Sequence, residues 1–316
     1  MTSPGHEDTN SQGSGLLFGI GAYASWGLFP AFFPLLKPAG AFEVLAHRIV
    51  WTLVLMIAVL LVMRRLSDIR EINRRTWLLL IAASALVSGN WVIYVYAVNN
   101  GHVVDAALGY FINPLVSVLL GVVIFAERLT RPQVVAVAIA VAAVVLLSVE
   151  VGGPPLVAVG LALTFGLYGA VKKVVPVDPR VSVALEAAIA APFAIVYIAV
   201  TELTGHGQFT VNGAGHVALT MLSGPLTAIP LLFFAAAAQR LPLVTLGLLM
   251  YLTPAMQMTW GVVVGHEPMP PARWVGFALI WVALAVFSGD ALRRSGNFTG
   301  QSLRRARGTH DRQQSP

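Results

Sequence analysis

The sequence predicts an all-α integral membrane protein, with ten transmembrane helices built as two inverted repeats of five. Three observations carry that prediction. Hydrophobic residues fill 57% of the 316 positions and charged residues only 11%, with a mean hydropathy of +0.78, a balance that a water-facing surface does not tolerate. Runs such as Leu53 to Met63 and Val134 to Val149 are apolar on every side, Ser148 excepted; they lack both the polar face of a soluble amphipathic helix and the alternation of a barrel strand. The chain also repeats itself. Gly109-Tyr110-Phe111-Ile112-Asn113-Pro114, with Gly121 and Glu127, returns in outline 140 positions later as Leu249-Met250-Tyr251-Leu252-Thr253-Pro254, with Gly261 and Glu267. Ser25-Trp26-Gly27-Leu28-Phe29 likewise stands 139 positions before Thr164-Phe165-Gly166-Leu167-Tyr168.

Taken in order, the apolar stretches run over about residues 15–35, 44–63, 77–97, 103–125, 132–149, 155–172, 181–201, 215–238, 243–264 and 272–289, five in each half. Residues 15–149 form the first repeat and 150–289 the second, between a polar tail at 1–14 and a basic tail at 290–316, both expected to be disordered. The first fourteen residues hold Glu7 and Asp8 but no Lys or Arg, unlike a signal peptide. An odd number of spans per repeat makes the second copy enter the membrane from the opposite side, so the halves are inverted about an axis in the membrane plane.

Charge places the ends. The loops after even-numbered spans carry Arg64, Arg65, Arg70, Arg74, Arg75, then Arg128 and Arg131, then Lys172, Lys173 and Arg180, then Arg240; the tail adds six arginines from Arg293 to Arg312. The opposite loops offer Lys37 and Arg273. By the positive-inside rule both termini are cytoplasmic, in a multi-pass protein of the cell membrane. The same asymmetry accounts for the net charge of +6 without a nucleic-acid partner.

Within the spans, Asn113-Pro114 and Thr253-Pro254 mark the fourth and ninth helices, where each proline removes a backbone hydrogen bond and pushes on the carbonyl four residues back. Either each bends a packed helix, or the freed carbonyls line a wet central cavity; the matched placement in both halves favours the second. Tyr110, Asn113, Pro114, Tyr251 and Thr253, with Asn90 of the third span and Trp26 of the first, are therefore candidate substrate-binding residues. Ser223-Gly224-Pro225 would line the same cavity. Gly27 and Gly166 give close backbone approach, for packing or as hinges, and Pro30 and Pro34 would bend the first span at its outer end.

The second span opens with Glu43-Val44-Leu45-Ala46-His47-Arg48. Glu43 and His47 share a helix face, and Arg48 lies about one turn inside the apolar boundary, where a charge at full depth costs about 2.5–3.5 kcal/mol on insertion scales. Arg48 reads either as snorkelling to the interface or as part of an ion-pair gate at the outer mouth. Asp105, eight residues before Asn113, either caps its helix or takes part in the cycle; Glu186 holds the repeat position of His47. Glu43, His47, Arg48, Asp105 and Glu186 are the candidates for gating or proton coupling. Glu127 and Glu267 are read as capping span ends.

The chain has no cysteine, no phosphate loop, no nucleotide fingerprint and no paired-histidine zinc motif. An enzyme is not expected, nor a cofactor or a metal. The expected partners are a small-molecule substrate and the lipid bilayer. The reading is a secondary transporter, a permease or exporter moving a small amphipathic metabolite or drug by alternating access; a passive channel and a non-transporting structural or sensory membrane protein stand as alternatives.

With the five-span unit duplicated, and with Trp26-Gly27-Leu28-Phe29-Pro30, Glu43-Val44-Leu45-Ala46-His47-Arg48, Asn99-Asn100-Gly101-His102 and Leu108-Gly109-Tyr110-Phe111-Ile112-Asn113-Pro114 in view, the chain resembles the EamA family of the drug/metabolite transporter superfamily, in a branch linked to chloramphenicol sensitivity. The resemblance covers about residues 15–289 and is most specific in the first half. It implies a ten-helix permease with a central cavity between the repeats and peripheral fifth and tenth helices. On this chain it marks Glu43, His47, Arg48, Asn90, Gly109, Tyr110, Asn113 and Pro114. The second half has Met250-Tyr251-Leu252-Thr253-Pro254 instead, so it does not imply a strictly two-fold site.

Overall fold

The computed structural model describes residues 4–99, 103–151, 156–264, 266, 271, 274–276, 278, 279, 281–287 and 289. All regular structure there is helical. Helix α1 (Pro4–Gly27) is followed by a short α2 (Phe29–Phe32) and a 3-10 turn, Phe33–Leu36. The break falls at Leu28, and Pro30 and Pro34 each sit in the first two positions of the piece that follows, where a missing N–H is tolerated. Then come α3 (Ala41–Val62), α4 (Arg74–Asn99), α5 (Val103–Phe125), α6 (Arg131–Val151), α7 (Leu156–Val174), α8 (Pro179–Leu203), α9 (Gly213–Ala238), α10 (Leu243–Leu249) and α11 (Leu252–Val263).

Seven helices among the described residues are long and apolar enough to cross a membrane, and three shorter apolar ones cover Arg131–Leu146, Leu243–Gln257 and Trp274–Phe287. Together they fall on the ten stretches the sequence predicts. Helix α1 begins at Pro4, inside the stretch expected as a tail. Residues 290–316, Arg273, Glu267 and the 100–102 part of the Asn-Asn-Gly-His string lie outside the described residues, as does the side chain of Asp105 in the first turn of α5.

The expected pair of proline kinks takes two forms. Pro114 sits inside a continuous α5, whereas the ninth stretch parts into α10 and α11 at Met250 and Tyr251. Across that gap the amides of Tyr251 and Thr253 bond three residues back, to Leu248 and Met250, so the chain tightens instead of straightening. The freed backbone groups find partners locally, as a lipid-embedded break requires.

The halves interlock. Helix α3 packs on α8 and α9, α4 on α7 and α8, α5 on α7 and α10, and α1 on α9 and α11, every one a contact between the first half and the second; α6 packs chiefly on α5. Small residues make these approaches: Ala22, Ala83, Ala140, Ala158, Ala228 and Ala237 are fully or almost fully buried. Large apolar residues point the other way, with Phe193 80% and Leu203 87% exposed, as befits a surface whose solvent is hydrocarbon.

Polar contacts gather the loops at two ends. Arg65, after α3, pairs with Asp178, after α7, at 2.7 Å. Glu127, after α5, accepts from the amides of Leu243 and Val244 at the start of α10, at 2.7 and 2.8 Å, and Lys173 lies 3.3 Å from it. The expected capping by Glu127 is thus made in trans, on another helix's unpaired amides. Gln239, after α9, donates to the carbonyls of Val175 and Val177. At the other end, Glu43 accepts from the amide of Gln208, between α8 and α9, at 2.6 Å.

Candidate functional site

The centre of the bundle is aromatic. Trp26 meets Phe165 edge-on, with ring centroids 5.6 Å apart, and Tyr23, Phe234 and Tyr168 complete the cluster, Tyr168 stacking on Phe234 at 5.5 Å. Trp26 and Phe165 are 139 positions apart, so they are each other's counterparts in the two copies. Tyr251 and Phe111, 140 apart, meet as well. Both pairs join the first half of the chain to the second.

Several candidate substrate residues act as pins between helices. The Asn90 amide donates to the Leu161 carbonyl and to Thr164 Oγ1, both at 2.9 Å, fixing α4 to α7. Thr253 donates to the Tyr23 carbonyl at 2.8 Å, tying α11 to α1. Tyr251 is 1% exposed. Asn113 is buried, and its Oδ1 has no hydrogen-bond partner among the described residues. Around Pro114 the backbones nearly touch: a Cβ on Gly247 would stand 2.9 Å from the Pro114 carbonyl.

Glu43, His47 and Arg48 separate. Glu43 and His47 share one face and both meet the loop between α8 and α9, Glu43 through Gln208 and His47 by stacking on Phe209 at 4.5 Å. His47 Nε2, His216 Nε2 and Trp51 Nε1 are buried there without hydrogen-bond partners among the described residues. Arg48, one residue on and about 100° around the helix, faces another neighbourhood. Its Nε donates to Thr227 Oγ1 of α9 at 2.8 Å. The guanidinium carbon lies 5.4, 5.3 and 4.9 Å from the ring centroids of Phe29, Phe33 and Trp91. Tyr94 and Tyr110, in edge contact at 6.0 Å, are within electrostatic reach. Of the substrate candidates, Tyr110 is the one brought to Arg48.

Glu186 anchors a network that the sequence reading missed. Its carboxylate accepts from Lys172 Nζ at 2.6 Å, Ser182 Oγ at 2.6 Å and Tyr168 Oη at 3.0 Å, and Lys172 also donates to Ser182. Lys172, counted above among loop charges, is 0% exposed in the last turn of α7. It follows an apolar run directly and precedes Lys173, so on sequence it is indistinguishable from a topogenic lysine. Removed from water, the ammonium is compatible with this position because an anion and a hydroxyl complete its shell. Beside the network a cavity of about 20 Å³, lined by Thr52, Ser88, Trp91, Glu186 and Leu231 among others, separates α3, α4, α8 and α9; it is the size of one water molecule. Trp91 lines it, while Gly224 is closed against the backbone of Trp51.

Three comparisons place this arrangement among known proteins. Residues 13–149 match the EamA-like transporter family. The chain is 48% identical over 286 residues to Protein RarD of Streptomyces exfoliatus, covering 90% of this chain and 91% of that one. It is 40% identical over 280 residues to a Bacillus subtilis protein named as the uncharacterized transporter YojE, covering 87% and 93%. A solved crystal structure shares the fold with a TM-score of 0.68 at 21% identity, over 87% of this chain and 98% of that one.

Proposed function

Because the chain belongs to the RarD group of the EamA-like transporter family, a group of multi-pass membrane transporters, we propose that it is a secondary transporter carrying a small amphipathic metabolite or drug by alternating access, with ten spans in two inverted repeats and both termini in the cytoplasm. The observation that carries this reading is the meeting of counterpart residues, Trp26 with Phe165 and Tyr251 with Phe111, between interlocked halves; in inverted copies such counterparts touch beside the line that relates them. A machine whose two copies face each other across such a line has two near-equivalent ways to open, one to each side.

The loop contacts support the inverted arrangement. The loops after α3, α5, α7 and α9 meet at one end through Arg65–Asp178, Lys173–Glu127 and Gln239–Val177, while Glu43 and Gln208 meet at the other. The Lys172–Glu186 network and the Glu43–Gln208 contact then stand as closures at opposite faces. In a proton-coupled cycle the exchanging group is His47, which keeps Nε2 free of partners among the described residues, whereas Glu186 has three donors.

The test is flux into proteoliposomes holding the purified chain, with amino acids, nucleobases and chloramphenicol-like drugs as solutes. Saturable flux that accumulates a solute against its gradient is expected. Flux that only equilibrates identifies a passive facilitator, and none under any imposed gradient removes the transport reading.

A further inference from the structure

We propose that Arg48 is the anchor of an anion site, and that the solute is a small organic monoanion, a carboxylate on an apolar or aromatic body. The proposal rests on the transporter reading above and narrows it to a substrate class.

The guanidinium carries five N–H donors, and Thr227 takes the one on Nε. No carboxylate among the described residues lies within ion-pair distance of Arg48. Neither Nη atom has a hydrogen-bond partner among the described residues, and neither is among the buried atoms sealed without one. The free fork therefore faces accessible space. Phe29, Phe33 and Trp91 surround it, each partly exposed, with Tyr94 and Tyr110 beyond. A structural arginine inside a membrane protein normally meets an acid or backbone carbonyls. This one is oriented by a threonine and left with the face that grips a carboxylate through two parallel hydrogen bonds.

The surroundings select within the anions. The aromatic rings supply a wall for an apolar body, and an anion brought to the fork would recover attraction that the ring quadrupoles supply only in part. A doubly charged phosphate would find a single cation, Arg48, among the described residues of this neighbourhood. The ammonium of a zwitterionic amino acid would find neither Glu43 nor Glu186 free: Glu43 is taken by the Gln208 amide, and Glu186 by Lys172, Ser182 and Tyr168. Uptake of the anion would draw α2, α4 and α9 onto α3, since each contributes a group already touching Arg48.

The experiment uses the full chain, purified and in proteoliposomes, with a panel of aryl and alkyl monocarboxylates. Each is paired with its neutral amide, phenylacetate with phenylacetamide for example, and phenylalanine and inorganic phosphate complete the set. Binding is read by calorimetry and by thermal stabilisation, flux separately. At least one acid is expected to bind tenfold or more tighter than its amide, phenylalanine and phosphate to bind more weakly than that acid, Arg48→Lys to weaken the acid at least tenfold, and Arg48→Gln to remove the preference for acid over amide. Thr227→Val, which loosens the orientation of the fork and keeps its charge, is expected to weaken the acid severalfold with folding intact. Every acid binding no better than its amide, or an Arg48→Gln variant that folds and keeps the preference, overturns the assignment. Anion binding without flux leaves the site standing and removes the transporter reading; flux of neutral solutes with no anion preference does the reverse.

Discussion

The hydroxyl of Tyr251 donates to the carbonyl of Phe111 at 3.2 Å, and the 140 positions between them equal the offset of the repeated string that contains both. The bond joins one residue to its own counterpart. It lies where the broken ninth stretch crosses the continuous, proline-bearing α5, which makes it a direct probe of the seam between the copies.

Tyr251→Phe removes that bond and little else. The expected loss of stability is about 0.5–1.5 kcal/mol, read as a lower unfolding midpoint in detergent, with the fold retained. A variant as stable as the parent would show that the seam is held by packing alone.

The Lys172–Glu186 pair predicts strong non-additivity. Lys172→Met leaves a buried carboxylate with two hydroxyl donors and no cation, and is expected to cost about 3–5 kcal/mol. Lys172→Met combined with Glu186→Gln removes both charges and should recover most of it. Unfolding midpoints of the two singles and the double supply the coupling, and simple addition would contradict the ion pair.

Two glycines offer a matched contrast. A Cβ on Gly224 would stand 2.5 Å from the backbone of Trp51, which cannot retreat without separating α3 from α9, while one on Gly89 meets nothing within 4 Å. Gly224→Ala should destabilise by about 1–3 kcal/mol, and Gly89→Ala should leave stability level or raise it by up to about 1 kcal/mol. Folded yield after solubilisation and heating of the two variants checks the pair.

The segment between Gly205 and Gly213 is clasped from α3 by Glu43, at the Gln208 amide, and by His47, stacked on Phe209. Both glycines hold positive φ, 73° and 80°, a conformation that glycine adopts at no steric cost. Glu43→Ala should speed hydrogen exchange of the amides from 206 to 212 by tenfold or more, with the α3 amides unchanged. Unaltered exchange would mean that the carboxylate does not fasten the segment.

How far the sequence reached is clearest at individual residues. The spans were legible because hydrocarbon demands about twenty apolar residues with their backbone bonds made internally, which leaves a local mark on composition. The duplication was legible because an offset is a property of order along the chain, and the contacts Trp26–Phe165 and Tyr251–Phe111 fall on it. Glu127 was readable as a cap, though not that the capped helix is α10. Lys172 was misread as a loop charge, because its partners stand ten and fourteen residues on, across a turn.

By itself, then, the sequence determined the apolar helices, the repeat and the alternating charge of the loops, each written in neighbouring residues or in a fixed spacing. Tertiary structure alone decided the partners. His47 and Arg48 are consecutive, yet a helix turns about 100° per residue, so one meets Phe209 and the other Thr227, Trp91 and two phenylalanines from other parts of the chain. Whether a buried charge is matched or left open to a ligand depends on which distant helix arrives beside it, and only the packed bundle fixes that.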